Sequence, residues 1–337
     1  MVILSQKGGI IADMSDSQFV SNCTANAMEN SAKTLLAGSL VAFPTETVYG
    51  LGADASSAEA VAKIYRTKGR PADHPLIVHI GSIDGIGYWA DEIPAYAIAL
   101  ARNFWPGPMT LILNRSENAK DFITGGQSTV GLRVPDHVVA LALLESAEKV
   151  GIQGIAAPSA NRFGHVSATT ADAVREELGK YLSSDDVILD GGPSTVGVES
   201  TIIDCTTNTP NILRPGAISQ EMIEEITGLK VGEIKTEIRV SGSLEKHYSP
   251  KATVVLNQEP ANGEGFIAMK DVATPQGVIR LASPTSIDEY ARTLYAAFRD
   301  GDSQGLSTIC VIPPSGDGIA IAIRDRLLRA SRGREIS

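Results

Sequence analysis

Leu40-Val41-Ala42-Phe43-Pro44-Thr45-Glu46-Thr47-Val48-Tyr49-Gly50-Leu51-Gly52 is the stretch on which the reading of this chain turns. Four apolar residues make a short buried-strand pattern, and Pro44, which has no backbone N–H, stops it. Two threonine hydroxyls, a carboxylate and two glycines then crowd into a few positions. Read as a loop ahead of a helix, this segment either holds a small polar ligand or is a turn with solvated side chains. Upstream, residues 24–37 carry helical periodicity that stops at Gly38, a C′ glycine. Downstream, Ser56 and Glu59 are spaced as a capping box for a helix reaching about Thr67.

The alternation continues outward. Strand patterns fall at 76–80, 109–113, 130–134, 152–157, 187–189, 201–204 and 212–213, and helical patterns at 94–104, 138–147 and 170–178. This mixture predicts one α/β domain over residues 20–215, built on a large mixed sheet. Residues 216–250 hold one helical pattern, 220–227, and then a polar, glycine-containing run that reads as a linker. From 251 to 337 a second series begins, with strands near 252–256, 265–269, 278–281 and 308–312 and helices at 287–299 and 319–330. It predicts a small doubly wound, Rossmann-like α/β domain. A length of 337 residues, at about 150 per domain, agrees with two domains.

The charge is −10, from 29 basic and 39 acidic residues. That argues against a surface coated for nonspecific nucleic-acid binding, though not against a small basic pocket. Cys23, Cys205 and Cys310 are far apart and form no CxxC pair, which argues against a disulfide framework or a local zinc site. No apolar run approaches the ~18 residues of a membrane helix, and the start has no basic flank of a signal peptide. A reducing cytoplasm, with no membrane partner, is the expected setting.

Walker A, GxGxxG, GxSxG and HExxH motifs are absent from the sequence, so the polar residues at strand and helix ends carry the argument. Lys68-Gly69-Arg70-Pro71 can converge two cations on one anion, or can complement a helix dipole. His74 follows, and His79 lies within an apolar strand, where a lone histidine is more often a satisfied core residue than a ligand contact. Arg133 also lies inside an apolar strand; unpaired burial is costly, so it should face a carboxylate partner or a cleft. Ser159 and Asn161 follow another strand, at the end where open α/β sheets bind ligands, although both are also common turn formers. Glu199-Ser200-Thr201 and Arg214-Pro215-Gly216 read alone as ordinary turn chemistry.

Taken together and in order, these segments resemble a known family. FPTETVYGLG at 43–52, KGRPADHPLIVHI at 68–80, STVGLRVP at 128–135, APSAN at 157–161, VGVESTIIDC at 196–205 and ILRPG at 212–216 resemble the long, two-domain threonylcarbamoyl-AMP synthases. In these a YrdC-type catalytic domain precedes a smaller C-terminal domain. The family's KxR…SxN signature corresponds to Lys68, Arg70, Ser159 and Asn161. The linker ends in the box His247-Tyr248-Ser249-Pro250, and a terminal arginine-leucine helix also fits. The chain departs from the pattern after APSAN, continuing Arg162-Phe163-Gly164-His165 where the family often has a small residue and proline.

The resemblance implies a YrdC-like twisted mixed sheet around a deep positive cavity. It implies condensation of L-threonine, bicarbonate and ATP to threonylcarbamoyl-AMP and pyrophosphate, with Lys68, Arg70, Ser159 and Asn161 as the catalytic set. Thr47, His79, Arg133, Ser159 and Ser200 correspond to threonine contacts. Lys68, Arg70, His74, Thr129, Asn161, Thr169, Arg214 and Tyr248 correspond to ATP contacts, with Tyr248 closing over the site. No carboxylate cage is evident, so Mg²⁺ is expected to bind chiefly through ATP phosphates. Downstream partners would be tRNA threonylcarbamoyl-transferase proteins; direct tRNA binding is not required. The C-terminal domain is given no catalysis, only the anchoring of the linker. Competing readings are a carbamoyl-adenylate enzyme, which would carry zinc-finger cysteines absent here, an RNA-binding or ribosome-maturation module, and a nucleotide-binding protein without turnover.

Overall fold

The computed structural model describes residues 20–22, 24–232, 238–242 and 247–333. The start of the chain, Cys23 and parts of the 216–250 linker lie outside the described residues. In chain order the first domain contains β1 (Val20–Asn22), α1 (Ala25–Leu36), β2 (Val41–Phe43), β3 (Gly50–Asp54), α2 (Ala58–Lys68), β4 (Ile77–His79), α3 (Ile86–Trp89), α4 (Ala95–Phe104), β5 (Met109–Asn114), α5 (Asp121–Thr124), β6 (Thr129–Arg133), α6 (Val138–Lys149), β7 (Ile155–Ala156), α7 (Ala171–Leu178), β8 (Val187–Asp190), β9 (Thr201–Asp204) and β10 (Asn211–Arg214). After α8 (Gln220–Thr227) come β11 (Thr253–Leu256), β12 (Gly265–Ile267), β13 (Ile279–Ala282), α9 (Ile287–Ser303), β14 (Thr308–Val311) and α10 (Ile319–Ser331).

Among the described residues, the first ten strands form one mixed sheet in the order β1-β8-β2-β3-β7-β4-β6-β5-β9-β10. Parallel pairs such as β4–β6 and β5–β9 alternate with antiparallel ones such as β2–β3 and β5–β6. The main core fills with Leu51, Ile64, Val78, Trp89, Leu111 and Leu132 and their neighbours, all buried. Apolar side chains at helical spacing turn the helices onto the sheet, and side-chain caps finish them. Thr24 caps α1 through Ala27 N, Thr170 caps α7, and Ser219 caps α8. No described helix is long and apolar enough to cross a membrane.

Two local expectations change. The cap of α2 is Ser57, whose Oγ accepts from Ala60 N; Asp54 Oδ1 captures both the N–H and hydroxyl of Ser56 in a turn and takes it out of play. The segment after Val48 is strand β3, not a loop. Val41, Ala42 and Phe43 face Gly52, Leu51 and Gly50 across an antiparallel pair. A Cβ at Gly52 would lie 2.7 Å from Ile155 Cγ2 and 2.8 Å from Phe43 Cε1, so glycine is what lets this strand pack.

The second sheet is all parallel, in the order β11-β14-β12-β13, with α9 and α10 packed together against it. Its core does not stop at its own border. Val48, Val166 and Val198 of the first domain and Tyr248 of the linker share one apolar cluster with Tyr290, Leu294, Tyr295, Phe298 and Leu327. The two domains therefore meet across a buried seam, and that seam runs beside the segment 44–50.

Candidate active site

Two loops are zipped together at the ends of the central strands. Tyr49 N donates to Ala168 O, Leu51 N to Pro158 O, and Ala160 N to Tyr49 O, so segment 44–50 lies against segment 157–168. Between them opens a cavity of about 530 Å³, part of it open to solvent. Thr47, His79, Arg133, Ser159 and Ser200 line it, as do Arg70, Arg214 and Tyr248. The order of the strands makes this possible. β4 and β6 are parallel neighbours, and their register sets His79 beside Arg133 at adjacent strand ends.

Arg133 has both environments that its strand position called for. Its Nη2 lies 2.7 Å from Glu46 Oε2, with both side chains about 5% exposed, and its Nε donates to Gly107 O at 3.3 Å. The guanidinium still faces the cavity. Glu46 receives no aligned hydrogen bond on either oxygen, so it serves Arg133 chiefly as a counter-charge. Thr45 and Thr47 join Oγ1 to Oγ1 at 2.8 Å, fixing the hydroxyls in this turn.

On the opposite wall, Arg214 Nε and Nη2 both donate to Ser200 O, at 3.1 and 3.0 Å, and Nη2 also reaches Ser200 Oγ. Arg214 Nη1 donates to Ser241 O at 2.8 Å. Ser241 belongs to the linker, and its hydroxyl accepts from Arg70 Nη2 at 3.2 Å and donates to Pro75 O. The linker is thus held over the cavity between two arginines. Next along it, His247 and Tyr248 enter the wall with their rings 4.2 Å apart, edge to face. Tyr248 has φ of +60°, a left-handed conformation that costs a non-glycine residue on the order of 1 kcal/mol and is met mostly where function requires it. Its ring stacks on Tyr295, centroids 5.9 Å apart.

Burial sets the charge states. Burial, and then the Arg133 charge, push His79 down to about 3, and burial takes His247 to about 3 among Arg70, Lys68 and Arg214; both imidazoles are neutral at neutral pH. Arg70 falls to about 10, mainly through burial, and stays charged. Glu199 shows the reverse balance. Burial alone would raise it, but Arg326 and Arg214 with the Ser167 hydrogen bond hold it at about 2.

The other residues expected at the site sit around this wall. Lys68 is buried beneath it, and its ammonium donates to Ser159 O and Asn161 O, each at 2.5 Å. Burial also lowers its pKa well below the ordinary value. Asn161 Nδ2 donates to Arg162 O and His165 O within its own loop. Both residues therefore shape the loop that carries Ser159. His74 meets the edge of Phe163, whose ring also lies under the Arg70 guanidinium. Thr129 lines an adjoining hollow of about 270 Å³ that shares Ile77 and Ser241 with the main cavity. Thr169 is buried behind the wall, where its carbonyl accepts from Ser194 N. Sequence reasoning missed Ser241, which lies in a run with no periodic signal; it met Glu46 and Glu199 only as loop and turn residues, because a carboxylate becomes costly only once burial is known.

Both domains have counterparts among known proteins. A Sua5/YciO/YrdC family model described as "Telomere recombination" matches residues 33–216. A second, described as "Threonylcarbamoyl-AMP synthase, C-terminal domain", matches residues 218–332. The threonylcarbamoyl-AMP synthase of Pyrococcus abyssi is 40% identical over 320 residues, covering 89% of this chain and 92% of its own. That of Bacillus subtilis is 37% identical over 332 residues, covering 90% and 93%. A crystal structure of Pyrococcus abyssi Sua5 complexed with L-threonine superposes with a TM-score of 0.83 at 36% identity, over 93% of this chain and 98% of that one. With both domains matched and near-complete coverage in each direction, the chain belongs to the two-domain threonylcarbamoyl-AMP synthases, nucleotidyltransferases that use ATP to make an adenylate.

Proposed function

We propose that this cavity joins L-threonine, bicarbonate and ATP into threonylcarbamoyl-AMP, releasing pyrophosphate. The supporting observation is a ring of buried polar atoms without protein partners: Arg70 Nε, His79 Nδ1, His247 Nδ1 and Tyr248 Oη, set among three arginines. Buried polar atoms are normally satisfied, and a polar, anionic ligand would satisfy these. Arg133 takes the threonine carboxylate by its planar fork, with Thr47, His79, Ser159 and Ser200 around the rest of the amino acid. Arg70, Arg214 and Tyr248 take the nucleotide, with His74 and Thr129 beside them; Thr169 supports the wall from behind, and Lys68 and Asn161 hold the 159–165 loop in shape.

The chemistry needs positioning and charge more than a covalent nucleophile. The threonine amine attacks bicarbonate carbon, and loss of water leaves an N-carboxylate. An oxygen of that carboxylate attacks the α-phosphorus of ATP as the bond to pyrophosphate breaks. Arg70 and Arg214 stabilise the charge that builds on the phosphates. Neutral His79 leaves the amine unrepelled by a nearby cation. Tyr248 and Ser241 keep water from the mixed anhydride. Mg²⁺ would arrive on the ATP phosphates and neutralise them. Glu46 and Glu199 beside the cavity are engaged by arginines, and no described cluster of three His, Cys, Asp or Glu side chains could hold a metal. The product would pass in the cytoplasm to tRNA threonylcarbamoyl-transferase proteins. Pyrophosphate release, measured with each substrate omitted in turn, tests the reading: release should need both threonine and bicarbonate. Release indifferent to threonine would overturn it.

A further inference from the structure

The deepest charge at the seam belongs to the C-terminal domain. Arg326, on α10, is fully buried, yet its side chain ends in the first domain. Its Nε donates to Glu199 Oε2 at 2.8 Å and its Nη2 to Pro215 O at 3.0 Å. Asp325 Oδ2 takes Nη1 at 2.7 Å. The guanidinium carbon also lies 5.2 Å from the centre of the Tyr248 ring. Glu199 is completed by the Tyr295 hydroxyl at 2.9 Å on Oε2 and by Ser167 Oγ at 2.6 Å on Oε1. Glu199 directly precedes Ser200, whose carbonyl and hydroxyl are gripped by Arg214. Glu199 and Tyr248, the two groups that Arg326 touches, themselves line the cavity.

A second ion pair crosses the same seam and serves as a contrast. Arg299 Nη1 lies 3.2 Å from Glu177 Oε1, but neither side chain lines the cavity. Arg299 Nη2 donates to Val166 O and Glu177 shares a hydrogen bond with His165, so this pair braces the 162–166 end of the loop and leaves the Glu199-Ser200 turn untouched.

We propose that Arg326 is a positioning residue for the reaction. The C-terminal domain inserts it beneath the site to fix the Glu199-Ser200 turn and the Tyr248 ring, so the threonine side of the cavity is complete only with α10 docked. This rests on Ser200 contacting threonine, as proposed above. Buried charge here does geometric work. The planar fork ties two carboxylates, of Glu199 and Asp325, and the backbone carbonyls of Glu199 and Pro215 into one arrangement, which a lysine could not reproduce.

The test uses the full chain and four variants: Arg326→Met, Arg326→Lys, Arg299→Met and Ser200→Ala. Threonine affinity is read by calorimetry and KM by pyrophosphate release. Arg326→Met should weaken threonine binding by about tenfold or more and shift the KM for ATP several-fold less, since misplacing a wall residue by a fraction of an ångström costs factors of this size. Arg326→Lys should fall between. Arg299→Met should weaken threonine binding several-fold less than Arg326→Met, because it loosens the seam and the far end of the 157–168 loop but leaves the Glu199-Ser200 turn in place. A folded Arg326→Met protein with unchanged threonine affinity would overturn the proposal, as would an equal loss in Arg299→Met, which would mean that docking in general is what matters. Should Arg326→Met fail to fold, Glu199→Gln keeps the volume and breaks the charge pair, and unchanged threonine affinity there overturns it as well. A loss in Ser200→Ala with none in Arg326→Met removes this inference alone. No loss in Ser200→Ala removes the threonine-side assignment and the inference with it.

Discussion

Acid should weaken this protein first at the seam, and Glu177 makes the effect calculable. Its carboxylate shares a hydrogen bond with His165 Nδ1 at 3.0 Å and lies 3.2 Å from Arg299 Nη1 across the domain boundary. Burial would raise its pKa, but the His165 hydrogen bond and the Arg299 charge outweigh that and hold it near 2, against an ordinary 4.5. The folded value is the lower one, so as pH falls the unfolded chain takes up the proton first. The stabilisation is therefore whole above about pH 4.5 and drains away toward pH 2. At about 1.4 kcal/mol per pH unit it amounts to about 3 kcal/mol. The side chain is only 15% exposed, so solvent screening removes little of this. Glu177→Gln keeps the shape and removes the titration. The variant should be less stable than the parent by up to about 3 kcal/mol at pH 6, with the gap closing between pH 4.5 and about 2. Urea unfolding followed by far-ultraviolet circular dichroism, at a series of pH values, reads this difference. Circular dichroism is the right probe because both tryptophans, Trp89 and Trp105, lie in the first domain and would report on that half alone. A gap that stays constant with pH, or no gap at pH 6, would refute the reasoning.

Three further outcomes follow from single residues. Arg133→Ala should raise the threonine KM far more than the ATP KM; because it strands the buried Glu46 charge at a cost of about 3–5 kcal/mol, it is best made with Glu46→Gln, and equal effects on both substrates would count against the carboxylate contact. Lys68→Met leaves the carbonyls of Ser159 and Asn161 without a donor; with charge-assisted bonds worth about 1.5–3 kcal/mol each, less the relief of a buried ammonium, denaturant unfolding should show a loss of about 2–4 kcal/mol, and unchanged stability would sink that role. Gly197 sits at φ +83° against α9, where a Cβ would come within 2.4 Å of Arg292 Cα and 2.6 Å of Ala291 O. Since backbone cannot yield as a side chain does, Gly197→Ala should cost about 2 kcal/mol or more and lower the thermal midpoint; an unshifted midpoint would show that the seam can open there freely.

Much of the fold can be read from the sequence wherever burial writes an apolar run. β5 and β9 lie inside the sheet and their side chains are nearly all buried, so hydrophobicity alone marks them. β3 leaves no such mark. Two of its five residues are glycines, and at Gly52 Phe43 and Ile155 leave no room for a Cβ; steric need of that kind is invisible until the partners are known. The cap at Ser57 instead of Ser56 has the same origin, since only the folded turn shows Asp54 claiming the first hydroxyl. At the site, the strand position of Arg133 announced a partner or a cleft because burying an arginine is expensive, and the structure supplies both. The orientation of Lys68 and Asn161 was not legible, because a motif says which residues gather and not which way each side chain points.

The seam is where sequence reading fails most completely. Glu199 and Arg326 stand 127 positions apart, on different domains, and no periodicity joins them. Each looks like a solvated charge on its own element, the one in a turn, the other on a helix with arginines at 324, 326 and 329. Only packing turns them into a fully desolvated pair. Such a pair contributes little net stability, because desolvation cancels most of the attraction, and apolar side chains of the same volume would hold the domains at least as strongly. What apolar side chains cannot supply is a unique orientation: a valine–leucine contact slides, whereas a carboxylate locked by an arginine, a tyrosine and a serine has one geometry. The seam already has its apolar share in Val48, Val166, Val198 and Phe298. The charges laid over that cluster therefore answer a different requirement, the angle at which α10 meets the Glu199-Ser200 turn, and that angle sets one wall of the cavity.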